Sequence, residues 1–185
     1  MIIYIDCDGI LNDLIPKTLA LYNAKTHRNI QPSHITTYHI SDCLPKEDSE
    51  GIYELWKTKE LWDSLEPLPD AQWGIETLVN TGNKVMIATA TYCEQFEWKL
   101  EFIKKYFPMI DTKDVIRIHD KSLLRGDVLI EDNLDNLTKS VCERICLDYP
   151  YNRDNNKDWV YEIYRVRNWK DIVKTINIID KELKK

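Results

Sequence analysis

The amino terminus, MIIYIDCDGILNDL, sets an apolar run directly before two aspartates and a glycine. Residues 2–5 are β-branched or aromatic and too few for a helix, so they predict a buried strand whose last member is Asp6. Gly9 then marks a turn. A buried parallel strand that carries Asp6 and Asp8 to its carboxyl end sets two carboxylates in the crevice where open α/β sheets bind ligands. Two anions so close repel, and the site therefore calls for a cation or a proton.

The rest of the chain supplies the partners of such a strand. LIPKTLALYNAKTH has helical spacing at Leu14, Leu19, Leu21 and Tyr22, with Pro16 tolerated in a first turn. EDSEGIYELWKTKELW reads as a further helical pattern through Ile52, Leu55, Trp56 and Trp62, and LEPLPDAQ ends it. Beyond this the pattern becomes an alternation. A helix from DAQWGIETLVN leads to a strand ending at Thr89, and EQFEWKLEFIKKYF is a helix before the strand VIRI. DVLIED is a strand ending in acids, NLDNLTKS a short helix, and ERICLD and YEIYRV are strands. NWKDIVKTINIIDKELKK closes as an amphipathic helix capped by Asn168. Alternating strands and helices predict an α/β fold: a doubly wound, Rossmann-like parallel sheet. The helical stretch interrupts that alternation, so residues 1–14 and 69–185 are expected to form the core domain and residues 15–68 a small helical cap inserted after the first strand.

With 185 residues, 43% hydrophobic and 30% charged, the chain is an ordinary globular sequence able to bury one core and a small lobe. A formal net charge of -6 argues against a protein that coats duplex nucleic acid or an anionic membrane. No apolar stretch reaches the roughly 20 residues of a membrane span. The five cysteines, Cys7, Cys43, Cys93, Cys142 and Cys146, are scattered without a CxxC pair or a secretory leader and predict reduced thiols in a cytoplasmic protein. Cys7 reads as a core filler rather than a nucleophile, and His34, His39, Asp42 and Cys43 match no closed zinc spacing. Trp56, Trp62 and Trp73 are expected to pack the cap and its hinge, and Trp98, Trp159 and Trp169 to lie in the core or anchor helices.

A doubly wound sheet gathers its strand ends around one crevice. Here that brings together Asp6 and Asp8, the hydroxyl of Thr89, the ammonium of Lys121, and Glu131 with Asp132. Carboxylates for a hard cation, an oxygen nucleophile and donors for phosphoryl oxygens are the parts of a phosphoryl-transfer site. DCDGIL resembles the first motif of the haloacid dehalogenase superfamily, VMIAT its second, Lys121 its third and IED its fourth. Within it, WDSLEPLPDA, VMIATAT, WKLEFIKKYFPMID, HDKSLLRGDVLIEDN and YRVRNW are similar to the 5'(3')-deoxyribonucleotidase family.

The resemblance implies a Mg²⁺-dependent phosphomonoesterase of nucleoside monophosphates that works through an aspartyl phosphate. Asp6 would be the nucleophile and Asp8 the proton donor and acceptor. Asp6, the backbone of Asp8 and Asp132 would hold the metal, and Thr89, the Ala90 amide and Lys121 would bind the phosphate. Two departures stand out. Glu131 replaces the family's usual Asp and would act through water or compete with Asp132 as ligand. TATYCEQFEW is shorter than in close relatives, so base contacts do not transfer from it; Trp62 or Tyr53 is the candidate for stacking on a base. Two other readings compete: a phosphatase of a sugar phosphate or phosphoglycolate, and a regulator that binds nucleotide or metal without turnover.

Overall fold

A computed structural model describes residues 1–91 and 93–184, without the side chains of Cys93 and Asn155; the reading of Cys93 as a reduced thiol lies outside the described residues. Six parallel strands form one sheet in the order β3-β2-β1-β4-β5-β6. They are β1 Ile2–Ile5, β2 Lys84–Thr89, β3 Val115–Arg117, β4 Val128–Glu131, β5 Glu143–Leu147 and β6 Ile163–Val166. The expected doubly wound α/β fold is therefore the one observed. Winding reverses between β1 and β4, which pair directly through Ile3 with Val128 and Ile5 with Ile130. That boundary is the switch point where a crevice opens at the carboxyl ends of the strands.

Side chains alternate between the two faces of the sheet along each strand. Ile3, Ile5, Val85, Ile87, Val128, Ile130, Ile145 and Leu147 belong to the large core on one face, with α4 (Ala71–Asn80), α5 (Cys93–Tyr106) and α8 (Trp169–Leu183). On the other face Leu129 and Cys146 meet Leu134 and Leu137 of α6 (Leu134–Lys139). Asn168 caps α8 as expected, its Oδ1 accepting from the Asp171 amide at 2.9 Å. Trp169 anchors that helix: the indole donates to the Ile10 carbonyl at 2.9 Å, and a Cβ at Gly74 would lie 2.3 Å from its ring.

The segment between β1 and α4 carries α1 (Leu14–Thr26), α2 (Lys46–Leu55) and α3 (Lys59–Ser64). Its two connections run side by side, with the Leu68 amide on the Leu11 carbonyl at 2.9 Å and the Asp13 amide on the Glu66 carbonyl at 3.2 Å. The single helical pattern expected over this stretch is split in two, because Thr58 is extended. The break has a use. It frees the Trp56 carbonyl to accept from Trp62 Nε1 at 2.8 Å and from Gln95 Nε2 of α5 at 3.0 Å.

Two tryptophans depart from expectation. Trp73 borders Pro67 and Leu68, where the hinge is expected, but stays 46% exposed. Trp159 neither packs in the core nor anchors a helix, being 86% exposed. Its short helix α7 (Asn155–Val160) turns Asp158 inward to meet Arg165 at 2.6 Å, which leaves the next residue outside. Cys7, Cys43, Cys142 and Cys146 are unpaired, and no helix among the described residues is long and apolar enough to cross a membrane.

Candidate active site

Asp6 extends β1 by one step, its amide bonding the Ile130 carbonyl of β4 at 2.9 Å. The chain then turns at Gly9, whose φ is +71°; a Cβ there would lie 2.7 Å from Asp132 Oδ2. Only glycine suits both the conformation and the approach. The turn is tied by Asn12, which is buried: its Oδ1 accepts from the amides of Gly9 and Leu14, and its Nδ2 donates to Asp8 Oδ1 at 3.0 Å.

Asp6, Glu131 and Asp132, all buried, each present a carboxylate oxygen within 4.8 Å of the others. Lys121, buried in the turn before β4, reaches Asp6 Oδ1 at 2.6 Å and both Glu131 oxygens at 3.1 and 3.0 Å. Burial opposes the Lys121 charge, but the Asp6 and Glu131 carboxylates outweigh it and hold its pKa well above the usual lysine range. Asn136 of α6 also donates to Glu131. Both Glu131 oxygens are thus engaged by protein donors. Asp132 differs, its Oδ2 accepting from the Tyr151 hydroxyl at 2.6 Å. Burial, and after it the charge of Asp6, push the Asp132 carboxyl up to about 7. Burial and the Asp132 charge raise the Tyr151 phenol, which keeps it a donor.

Asp8 belongs to a second group. Its Oδ2 lies 2.6 Å from Lys99 Nζ, which also donates to Thr89 Oγ1 at 2.8 Å and to the Ala90 carbonyl at 3.3 Å. Lys99 is only 2% exposed; burial works against its charge, yet Asp8 and the other nearby anions raise its pKa. The acid site residues expected from sequence, with Thr89, Ala90 and Lys121, thus gather at adjacent strand ends. The sequence pattern does not single out Lys99, Asn12, Asn136 or Tyr151. For Lys99 a signal existed: it falls on the stripe Phe96, Lys99, Ile103 of α5, where a buried ammonium requires a carboxylate. The Cys7 thiol, between the two aspartates, points into the core, and burial pushes its pKa well up.

Asp6, Asp8, Ala90, Lys99, Lys121 and Asp132 line a cavity of about 360 Å³, whose walls include Tyr53, Trp56 and Trp62 together with Tyr38 and His39. Trp62 is buried with its ring 5.4 Å from Lys99 Nζ, and Tyr53 packs edge-on against Trp56 at 5.3 Å. The volume suits a small organic ligand. His34, Asp42 and Cys43 join no metal-holding group among the described residues.

The carboxyl groups fit a divalent cation. Three buried acids converge, and burial followed by the charge of Asp6 raises the carboxyls of both Glu131 and Asp132, the latter to about 7, as expected of a site short of positive charge. A pH effect on stability follows. Asp132 holds a proton more tightly when folded than at its ordinary value of 3.8, so the unfolded chain releases that proton first as pH rises. In EDTA, stability is expected to fall between about pH 4 and pH 7, on the order of 1–4 kcal/mol, and millimolar Mg²⁺ should flatten the dependence. Thermal melts at pH 5 and 7.5, with and without the ion, measure it.

A family model described as "5' nucleotidase, deoxy (Pyrimidine), cytosolic type C protein" matches residues 1–183. Among curated proteins, a 5'(3')-deoxyribonucleotidase of Clostridium acetobutylicum is 30% identical over 165 residues, covering 89% of this chain and 88% of the relative. One from Bacillus subtilis is 26% identical, covering 92% of this chain and 95% of its own. Among solved structures, a HAD family hydrolase from Deinococcus radiodurans, with bound phosphate and sodium, superposes with a TM-score of 0.64 at 12% identity over 97% of this chain and 96% of that one.

Proposed function

As this chain belongs to the 5' nucleotidase, deoxy (pyrimidine), cytosolic type C family, we propose that it is a cytoplasmic Mg²⁺-dependent phosphatase of deoxynucleoside monophosphates. Its enzyme class, phosphoric monoester hydrolase, comes with the family. The observation that carries the finer reading is the convergence of Asp6, Glu131 and Asp132 within 4.8 Å, on a cavity that aromatic residues also line. Asp6, Asp132 and the backbone carbonyl of Asp8 would hold the ion. When bound, the ion supplies positive charge that offsets the approach of a phosphate dianion to these acids.

In the first step an oxygen of Asp6 attacks phosphorus, the bond from phosphorus to the sugar oxygen breaks, and Asp8 gives that oxygen a proton. In the second, Asp8 takes a proton from water, whose oxygen attacks phosphorus; the bond to Asp6 breaks and inorganic phosphate leaves. The ion pair of Asp8 with Lys99 is the form that accepts the proton in this second step. Lys121 and Thr89, with the Ala90 amide, offset charge on the phosphoryl oxygens. Glu131 acts through Lys121, both of its oxygens being bonded to that ammonium. Residues 15–68 serve as the cap, setting Tyr53 and Trp62 beside the base and excluding water.

The test is a panel of monophosphates at fixed Mg²⁺: 5'- and 3'-deoxynucleotides, ribonucleotides, ribose phosphate and phosphoglycolate. Deoxynucleotides should lead by about tenfold or more in kcat/KM, and EDTA should reduce turnover to background. Equal hydrolysis of ribose and glycolyl phosphates would overturn the nucleotide reading. A melting shift with nucleotide but no phosphate release would leave a binding protein in its place.

A further inference from the structure

The turn after β5 is joined to both acid-bearing loops, although it lies far from them in sequence. Tyr149 donates its hydroxyl to the Gly9 carbonyl at 2.7 Å. Tyr151 donates to Asp132 Oδ2 at 2.6 Å, and Asn152 Nδ2 donates to the Asp132 carbonyl at 2.8 Å. The turn itself is braced. The two tyrosine rings stack at 5.1 Å and 6°, and the Asn152 Oδ1, buried, accepts from the Tyr149 amide at 3.0 Å and from Arg165 at 2.8 Å. Arg165 is fixed in turn by Asp148 and Asp158. One bracket of side chains therefore sets the spacing between the Gly9 turn and Asp132.

A carboxylate at a strand end has free rotation about two bonds, and a ligand that must find its orientation each time binds a cation more weakly than one already aimed. The phenol removes that freedom at Asp132 by holding Oδ2. We propose that Tyr151 is a positioning residue that fixes the Asp132 carboxylate by its Oδ2, leaving the other oxygen to the divalent ion, and so sets metal affinity rather than the rate of the chemical step. This rests on the reading of Asp132 as a metal ligand, and does not depend on which phosphate ester is the substrate. The same ring meets Tyr38 edge-on at 6.3 Å, so aromatic packing is retained when only the hydroxyl is removed.

The experiment is Mn²⁺ titration of the nucleotide-free protein at pH 7.5, followed by electron paramagnetic resonance of the free ion, for the wild type, Tyr151→Phe and Asp132→Asn. Tyr151→Phe is expected to weaken Mn²⁺ binding about tenfold, toward Asp132→Asn. Its Mg²⁺ half-saturation in turnover should rise by about the same factor, with kcat at saturating Mg²⁺ within about threefold of wild type. Unchanged Mn²⁺ affinity in Tyr151→Phe, with normal binding by wild type, overturns the proposal alone. Absence of Mn²⁺ binding by wild type overturns it together with the metal reading. A fall in melting temperature of more than about 5 °C, with kcat and affinity lost in parallel, would make the hydroxyl merely structural and overturn it as well. If Mn²⁺ binds but no nucleotide is hydrolysed, the substrate reading fails while the affinity comparison still decides the role of Tyr151.

Discussion

Asp6→Asn is expected to lower kcat by about 10⁴-fold or more while the protein stays folded. The amide is almost the size of the carboxylate and offers an oxygen to Lys121, whose contact with Asp6 Oδ1 is 2.6 Å, so the turn at Gly9 has no reason to move. What is lost is the anion proposed as the nucleophile. Charge also changes in a direction that can be read independently. Asp6 is the neighbouring charge that most raises Asp132, so the substitution should bring the Asp132 carboxyl down from about 7. In EDTA the variant should therefore lose less stability than wild type as pH rises through that range. Phosphate release measured beside thermal melts separates the two effects. Turnover above about one hundredth of wild type would remove Asp6 from the nucleophile's role.

The sites that sequence discloses are those whose positions the strand pattern fixes. Asp6, Thr89 and Glu131 with Asp132 each follow a buried apolar run, and a parallel sheet brings the ends of such runs together. Lys121 is legible only through motif order, because a lysine in a loop has no periodicity to betray its burial. The bracket from Tyr149 to Asn152 is invisible for another reason. Its contacts join residues separated by as many as 140 positions, through hydroxyl and amide groups that turns carry everywhere. Lys99 was hidden by habit of composition: lysine on an amphipathic helix is ordinarily solvated, and only the neighbours Phe96 and Ile103 mark its face as buried. Trp159 failed in the opposite sense, since hydrophobicity alone predicted burial while the ion pairs of Asp158 with Arg165 set the facing of a six-residue helix.

Lys121→Met should have the largest effect on stability, about 3–5 kcal/mol, or roughly 10 °C in melting temperature. The ammonium is 2% exposed and is bonded to two carboxylates that are themselves buried, with Asp132 nearby. Methionine fills the space of the stem but leaves those acids without the ammonium bonded to Asp6 and Glu131. They can recover only by taking up protons, and Lys121 is one of the groups that now lower the pKa of Glu131. Removing it raises that pKa further, so the folded variant binds protons that the unfolded chain releases. The deficit should therefore widen from pH 5 to pH 7.5 and narrow when Mg²⁺ is added. Pairing the change with Glu131→Gln removes the acid most completely enclosed, and the double variant should regain part of the lost stability, because a buried ion pair costs more to break than to neutralise on both sides. Activity should not return with it, since Lys121 also contacts Asp6 and, in the proposed mechanism, offsets charge on the phosphate. A melting temperature for Lys121→Met within about 2 °C of wild type in EDTA at pH 7.5 would mean that the three acids do not depend on this ammonium, and that solvent or protons already balance their charge.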